Sequence, residues 1–356
     1  MDQPGPHAPY PGPMARRKRQ RTPPAPLQQR SGIDPMRLRM PADGDWPTLR
    51  DHLVDRLPAD APTVDAMIRR GEVVDKDGRA IDARTPFTPG AHVWFHRDLP
   101  AEPLVPFPIR VVYRDEQVLV ADKPHFLATT PRGRHVAQTA LARLRHELDL
   151  PGLSPAHRLD RLTAGLVMFT VRPEVRGAYQ LLFQQHRVHK EYAAVAPYRP
   201  DLELPCTVRS HIEKIPGIIA ARELPDRPVN SESRIELLDH RPPEHLGLPE
   251  HRYGTARYRL LPRTGRTHQL RVHMNRLGVP ILGDPVYPEV GDPDRADFTR
   301  PLQLLARVLE FTDPITGVRH HFETSRTLEA WDDPAAWAGQ APPPDGPPAE
   351  PDPAAA

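Results

Sequence analysis

The chain has 356 residues, 48 of them proline and only one cysteine. Proline runs at more than twice its usual ~5%, the lone Cys206 excludes a disulfide framework or a cysteine-rich zinc site, and no run approaches the ~18 apolar residues of a membrane helix. With 48 Lys and Arg against 46 Asp and Glu, what matters is where positive charge collects.

Residues 1–40 carry proline-rich runs and the basic cluster Arg16, Arg17, Lys18, Arg19 and Arg21. Such a composition buries too little apolar surface to offset its ordering entropy, so a disordered arm is expected. It reads either as a solvated tail or as an electrostatic arm for phosphates. The basic cluster lacks a following apolar stretch, which argues against a secretory leader and for a reducing cytoplasmic setting. Residues 45–98 read as a small module. Leu49, Leu53 and Leu57 mark one stripe of a short helix, and TVDAMIRRG marks a second, from a cap at Thr63 to Gly71. Short β segments follow near Val73 and at Val93–Phe95. This order resembles a degenerate alpha-L RNA-binding domain, its basic helix face diluted by Asp51, Asp55, Asp60 and Asp65. Four prolines within 100–108 read as a linker.

From Ile109 onward the pattern changes. Apolar β-type runs lie at 109–113, 117–123, 164–171, 191–196, 206–212, 256–261 and 304–311. Helical patterns lie at 138–148, 173–187 and 267–278, the second with Pro173 at its first position. Many strands with few scattered helices predict an α+β domain over 105–330 with a largely antiparallel sheet. The tail 338–356 is of low complexity and is expected to be unstructured.

Positive charge concentrates twice. Residues 251–276 hold seven arginines and no Asp or Glu, and a second stretch holds Arg132, Arg134, Arg143 and Arg145. Arginine forks suit phosphate oxygens, so one positive face and a nucleic-acid partner are expected. The plainer alternative is a solvated face balanced by acids elsewhere in the fold.

Two motifs could carry chemistry. His157-Arg158-Leu159-Asp160-Arg161 sits just before a buried-looking strand, which places Asp160 at the lip of a sheet between two arginines. Opposite charges are expected to keep it ionised, which suits nucleophilic work. By spacing alone a structural salt bridge is the simpler reading. In the segment 263–273, Gly265 marks a turn, Thr267 is the expected helix cap, and Gln269 and His273 share one helix face. His268 and His273 have no third ligand in view, which argues against a metal site. Further, Lys190 and Tyr192 alternate onto one side of a strand, and 278–287 form a turn-rich loop.

Together these blocks resemble the RluA-type RNA pseudouridine synthases. HRLDRLTAGL is similar to the family's HRLDxxTSGL, HKEYAAV to KxYxAxV, RTGRTHQLRVHM to TGRTHQxRVH, and PILGDPVY to PIxGDxxY; the run PLQLLARVLEFTDPITGVRHHFE resembles its closing strands. The resemblance spans residues 105–328 and implies the pseudouridine synthase fold, a two-part, mainly antiparallel sheet with flanking helices and a basic cleft for RNA. It implies that Asp160 is the catalytic aspartate, that Tyr192 stacks on a flipped-out uridine and takes part in proton removal, and that Arg271 pairs with Asp160. It places Arg158, Arg161, Lys190, Arg266, His268 and Gln269 against the substrate. Ribosomal or transfer RNA is the implied partner, with no cofactor, metal or membrane, and a monomer is expected. The family's serine is Ala164 here, and His125 and Thr130 occupy a loop where a glycine and then a histidine are usual. Two other classes compete. An RNA-binding assembly factor has no use for Asp160, and a carboxylate glycosidase needs a second acid that no block supplies.

Overall fold

The computed structural model describes residues 25–57, 59–99, 101–247, 252–291 and 298–339. The basic cluster of 16–21 and the tail from 340 onward lie outside the described residues. Two units divide the rest, one from residues 25–30 and Asp34–Asp98, the other from Leu99 onward with Ser31–Ile33.

The first unit contains strand β1 (Met36–Arg39), helices α1 (Leu49–Arg56) and α2 (Ala61–Arg69), and strand β2 (His92–Phe95). Strands β1 and β2 pair antiparallel, and Met40, Leu53, Val64, Val93 and Phe95 form the core. Residues 25–40 are therefore not part of the disordered arm expected over residues 1–40. Met36 and Leu38 alternate in a strand whose partner lies more than 50 residues away, which local composition cannot reveal. Thr48 caps α1 through the Asp51 N–H, whereas α2 is capped by Asp60, which accepts from Thr63 N–H at 3.0 Å. The expected cap, Thr63, lies inside the helix.

The second unit is α+β. Its strands are β3 (Arg110–Arg114), β4 (Val118–Lys123), β5 (Ser154–Pro155), β6 (Ala164–Thr170), β7 (Val188–Pro197), β8 (Cys206–Ser210), β9 (Ile212–Glu213), β10 (Arg222–Glu223), β11 (Ser231–Arg241), β12 (Thr255–Pro262), β13 (Leu304–Thr312) and β14 (Arg319–Glu323). Its helices are α3 (Ala140–Glu147), α4 (Arg176–Gln184), α5 (Gln269–Arg276), α6 (Glu329–Asp332) and α7 (Pro334–Gly339). The main sheet runs β3-β4-β6-β13-β7-β12-β11-β8, with β14 on β13 and β5 on β6. The short β13–β6 contact is its parallel pairing and joins two antiparallel halves. There Gly165 has φ +109°, and a Cβ on it would meet the Ala306 carbonyl oxygen at 2.2 Å. Only glycine lets these backbones meet so closely. The sheet buries β4 and β6 along their whole length, as their unbroken apolar runs require.

Two helix starts differ from expectation. Pro173 opens a turn, and α4 begins only at Arg176. Helix α5 begins at Gln269, and its cap position is His268 in a left-handed conformation (φ +57°) rather than Thr267.

Candidate active site

Asp160 lies in the loop that enters β6, and its backbone carbonyl accepts from Thr163 N–H at 3.2 Å. That turn presents the carboxylate, 30% exposed, at the lip of the sheet junction. Strand alternation brings Lys190 and Tyr192 to the same cleft, while Glu191 between them points the other way, to Arg259 and Arg307. The loop 264–268 and the start of α5 close the opposite wall with Arg266, His268 and Arg271.

Arg271 is 3% exposed and donates two hydrogen bonds to Asp284, at 2.7 and 2.6 Å. Its Nη1 stands 3.8 Å from Asp160 Oδ2. The implied Arg271–Asp160 pair is thus a third contact of a guanidinium anchored elsewhere. Burial alone would lower the Arg271 pKa, and the Asp284 hydrogen bonds and charge raise it overall. His268 Nε2 lies 4.0 Å from the same Asp160 oxygen, and its Nδ1 lies 3.1 Å from the Tyr287 hydroxyl. Burial lowers the His268 pKa against the pull of Asp160, which favours a neutral ring. Burial and the charge of Asp160 raise the Tyr192 phenol, which keeps its proton. Burial lowers Lys190 to about 8, and its ammonium donates to the Thr264 carbonyl at 3.2 Å.

Arg158 is exposed at the rim, and Arg161 Nη1 donates to the Phe126 carbonyl at 3.4 Å. Asp160 thus has Arg271 and His268 of the opposite wall as ion-pair neighbours. The Gln269 carboxamide is turned to the chain. Its carboxamide oxygen accepts from Thr264 Oγ1 and Arg266 N–H, and its nitrogen donates to Glu232 O and Ser233 Oγ. All four hydrogen-bonding positions of the amide are filled. On the same face His273 meets Ser210 and Ser231, so this stripe of α5 packs on the sheet. In the unusual loop, His125 Nδ1 donates to the Leu162 carbonyl at 2.7 Å, and Thr130 faces the groove.

The cleft opens into a groove of about 1110 Å³. Basic side chains reach it from separate segments: Arg132 and Arg134, Arg158 and Arg161, Lys190, Lys214, Arg266 and Arg271. Asp160 is the one carboxylate among its described lining residues. The positive surface is nevertheless not the one expected. Of the seven arginines in 251–276, Arg259, Arg263 and Arg276 bind Glu191, Glu232 and Glu223, and Arg257 lies over Trp331. Arg143 and Arg145 likewise cap backbone carbonyls. The balancing acids come from other strands, where a sequence window does not look. Sequence reasoning also missed Asp284 and Lys123. The buried Lys123 ammonium donates to the carbonyls of Pro124, Leu127 and Arg161, beside the Asp160 loop. A lysine ending an apolar strand was the available signal for Lys123, and the acid in PILGDPVY for Asp284.

The chain matches the family model of RNA pseudouridylate synthase over residues 117–276. An uncharacterized RNA pseudouridine synthase of Synechocystis sp. is 32% identical over 240 residues, 66% of this chain and 77% of that protein. The dual-specificity RNA pseudouridine synthase RluA of Vibrio cholerae is 32% identical over 221 residues, 58% of this chain and 78% of that protein. The tRNA pseudouridine synthase C of Haemophilus ducreyi is 29% identical over 219 residues, 58% of this chain and 86% of that protein. Among solved structures, human RNA pseudouridylate synthase domain containing 1 is similar at 25% identity with a TM-score of 0.47, covering 66% of this chain and 89% of that one. With motifs and relatives in agreement, the chain belongs to the RluA-type RNA pseudouridine synthases and is an isomerase of RNA uridines.

Proposed function

We propose that this chain converts specific uridines of ribosomal or transfer RNA to pseudouridine, with Asp160 as the catalytic carboxylate. The observation that carries the reading is a carboxylate, the one among the described lining residues of a basic groove, 3.8 Å from a buried guanidinium. The relatives named for transfer RNA and for dual specificity support the substrate class.

The reaction is an isomerisation. The N1–C1′ bond breaks, the base turns, and C5 bonds to C1′; C5 loses a proton and N1 gains one. Asp160 attacks or stabilises the electron-poor centre while the base is detached, and Arg271 holds that carboxylate in place. Tyr192 supplies a flat ring for the uracil. Its phenol keeps its own proton, so it carries the C5 proton only by handing that proton on, with Asp160 as the nearby charge. Flipping the nucleotide costs a few kcal/mol of unstacking. Phosphate contacts from Arg158, Arg161, Lys190 and Arg266 offset this, with His268 at the base side.

The N-terminal unit acts as a spacer in this reading, because Arg50 on α1 and Arg70 just after α2 are tied to Asp65 and Glu72. A monomer working in the cytoplasm fits the same reading, and no described helix is long and apolar enough to cross a membrane. The test is to incubate the protein with unmodified ribosomal and transfer RNA transcripts and map pseudouridine. New sites with the wild type and none with Asp160→Asn are expected. No product from the wild type, or equal product from the variant, would overturn it.

A further inference from the structure

The groove is larger than its catalytic end requires. At about 1110 Å³ it exceeds the ~300–1,000 Å³ of pockets that enclose one small molecule. A single flipped uridine beside Asp160 leaves the far part of it unfilled.

That part is lined by one face of α4. Gln180, Phe183 and Gln184 are spaced three and four residues apart, so they share that face. Phe183 lies parallel to His157, with ring centroids 4.5 Å apart and planes 23° apart. Both rings are half-buried and both border the groove. His157 is locked in one tautomer. Its Nε2 accepts from Met168 N–H at 3.1 Å, so its proton sits on Nδ1. Burial lowers its pKa to about 3, so the ring is neutral at any physiological pH. Gln180 donates its amide nitrogen to the Pro155 carbonyl at 3.4 Å, which leaves its carboxamide oxygen as an acceptor. A stacked, uncharged aromatic pair and a neighbouring amide thus border a groove that carries cationic side chains on its other walls.

We propose that His157, Phe183 and Gln180 form a second nucleobase subsite, which receives an unpaired nucleotide neighbouring the target uridine. Unpaired bases are recognised by stacking on aromatic rings and by hydrogen bonds to their edges. A phosphate would choose the arginines instead, and a paired base would keep its faces covered. The neutral imidazole suits a base, which carries no charge to attract. This inference rests on the reading of Asp160 as the catalytic end of the same groove. It makes the chain a reader of single-stranded loops and bulges, not of helical RNA.

The probes are a uridine decamer and the same decamer with alternate nucleotides abasic. With the wild type, abasic RNA is expected to bind about tenfold more weakly. Phe183→Leu keeps the apolar volume and removes the π face; it should lose affinity for the intact decamer and little for the abasic one. Phe183→Trp should restore the difference. Gln180→Ala, at a half-buried position of its helix, should weaken the intact decamer about threefold. Equal affinity of the wild type for both RNAs, or equal losses by Phe183→Leu on both, would overturn the subsite. The readout is affinity, whereas the Asp160 reading is scored on product. A protein that makes no pseudouridine but discriminates the decamers refutes only the latter.

Discussion

Arg271 grips Asp284 through Nε and Nη2, and Asp284 Oδ1 also accepts the backbone N–H groups of Val286 and Tyr287 at 2.9 and 3.2 Å. One carboxylate therefore ties the loop after α5 to the guanidinium that faces Asp160. Asp284→Asn removes the charge and leaves Arg271 buried without its counterion. Breaking one side of a buried pair costs about 3–5 kcal/mol. Denaturant unfolding should show a loss of that order, and single-turnover rates should fall at least tenfold. A variant with full rate and stability would show that Arg271 is oriented by something else.

Asp160→Asn tests the chemistry separately from binding. The side chain is 30% exposed, and asparagine has nearly its shape. Pseudouridine formation should vanish while affinity for transfer RNA transcripts changes less than threefold. A large loss of affinity would instead mark Asp160 as a binding group.

Lys190 gives the groove a pH dependence. Its ammonium form, the one that attracts phosphate, prevails below about 8 and is lost above it. RNA affinity should therefore weaken as pH rises through 8, and Lys190→Arg, which stays charged, should flatten that step. Lys190→Gln should also reduce the salt slope by about 0.7, the value of one phosphate contact on a single strand. Filter binding from pH 6.5 to 9.5 at several salt concentrations reads both effects. A wild-type profile without a step near 8 would remove Lys190 from the RNA path.

Much of this site was legible because its parts are local. The order His157 to Asp160, the alternation of Lys190 and Tyr192, and the turn at Gly265 each follow from a few adjacent residues. The partners were not legible. Arg259 finds Glu191 on β7 and Glu236 on β11, its two neighbouring strands, so an arginine-rich window looked more positive than the folded surface is. Gln269 lies at the cleft in sequence and lining, yet its amide faces the chain. Only the sheet order, which no periodicity encodes, decides such pairings.

Gln269→Leu accordingly should act on stability. It strips partners from Thr264 Oγ1, the Arg266 N–H, the Glu232 carbonyl and Ser233 Oγ. Of these the Ser233 contact is buried, and a buried group left unmet costs about 1–3 kcal/mol; the part-buried others cost less. Thermal unfolding should move down markedly, and the RNA affinity of the still-folded fraction should hold. A specific loss of RNA affinity at unchanged stability would return Gln269 to the substrate.

Lys123 ends β4 with no exposed surface, and its Nζ donates to Pro124 O at 2.9 Å, Leu127 O at 2.7 Å and Arg161 O at 3.3 Å. Burial pushes its pKa well below the usual lysine value, and the charge of Asp160 opposes that push. Since the folded value lies below the ~10.4 of an unfolded lysine, the unfolded chain binds the extra proton between the two. Stability should therefore climb with pH across that window. Lys123→Met abolishes this climb. Its net effect on stability at neutral pH is a difference between two opposed quantities, since relieving a buried charge saves several kcal/mol and three orphaned carbonyls cost about as much. Rate is the cleaner readout. The Arg161 carbonyl follows Asp160 directly in the chain, so losing its donor slackens the turn that aims the carboxylate. Single-turnover pseudouridine formation should drop about tenfold in Lys123→Met, and unfolding curves from pH 7 to 10 should lose the Lys123 share of their slope, leaving that of Lys190. Retention of both the rate and the slope would show that the ammonium holds nothing in place.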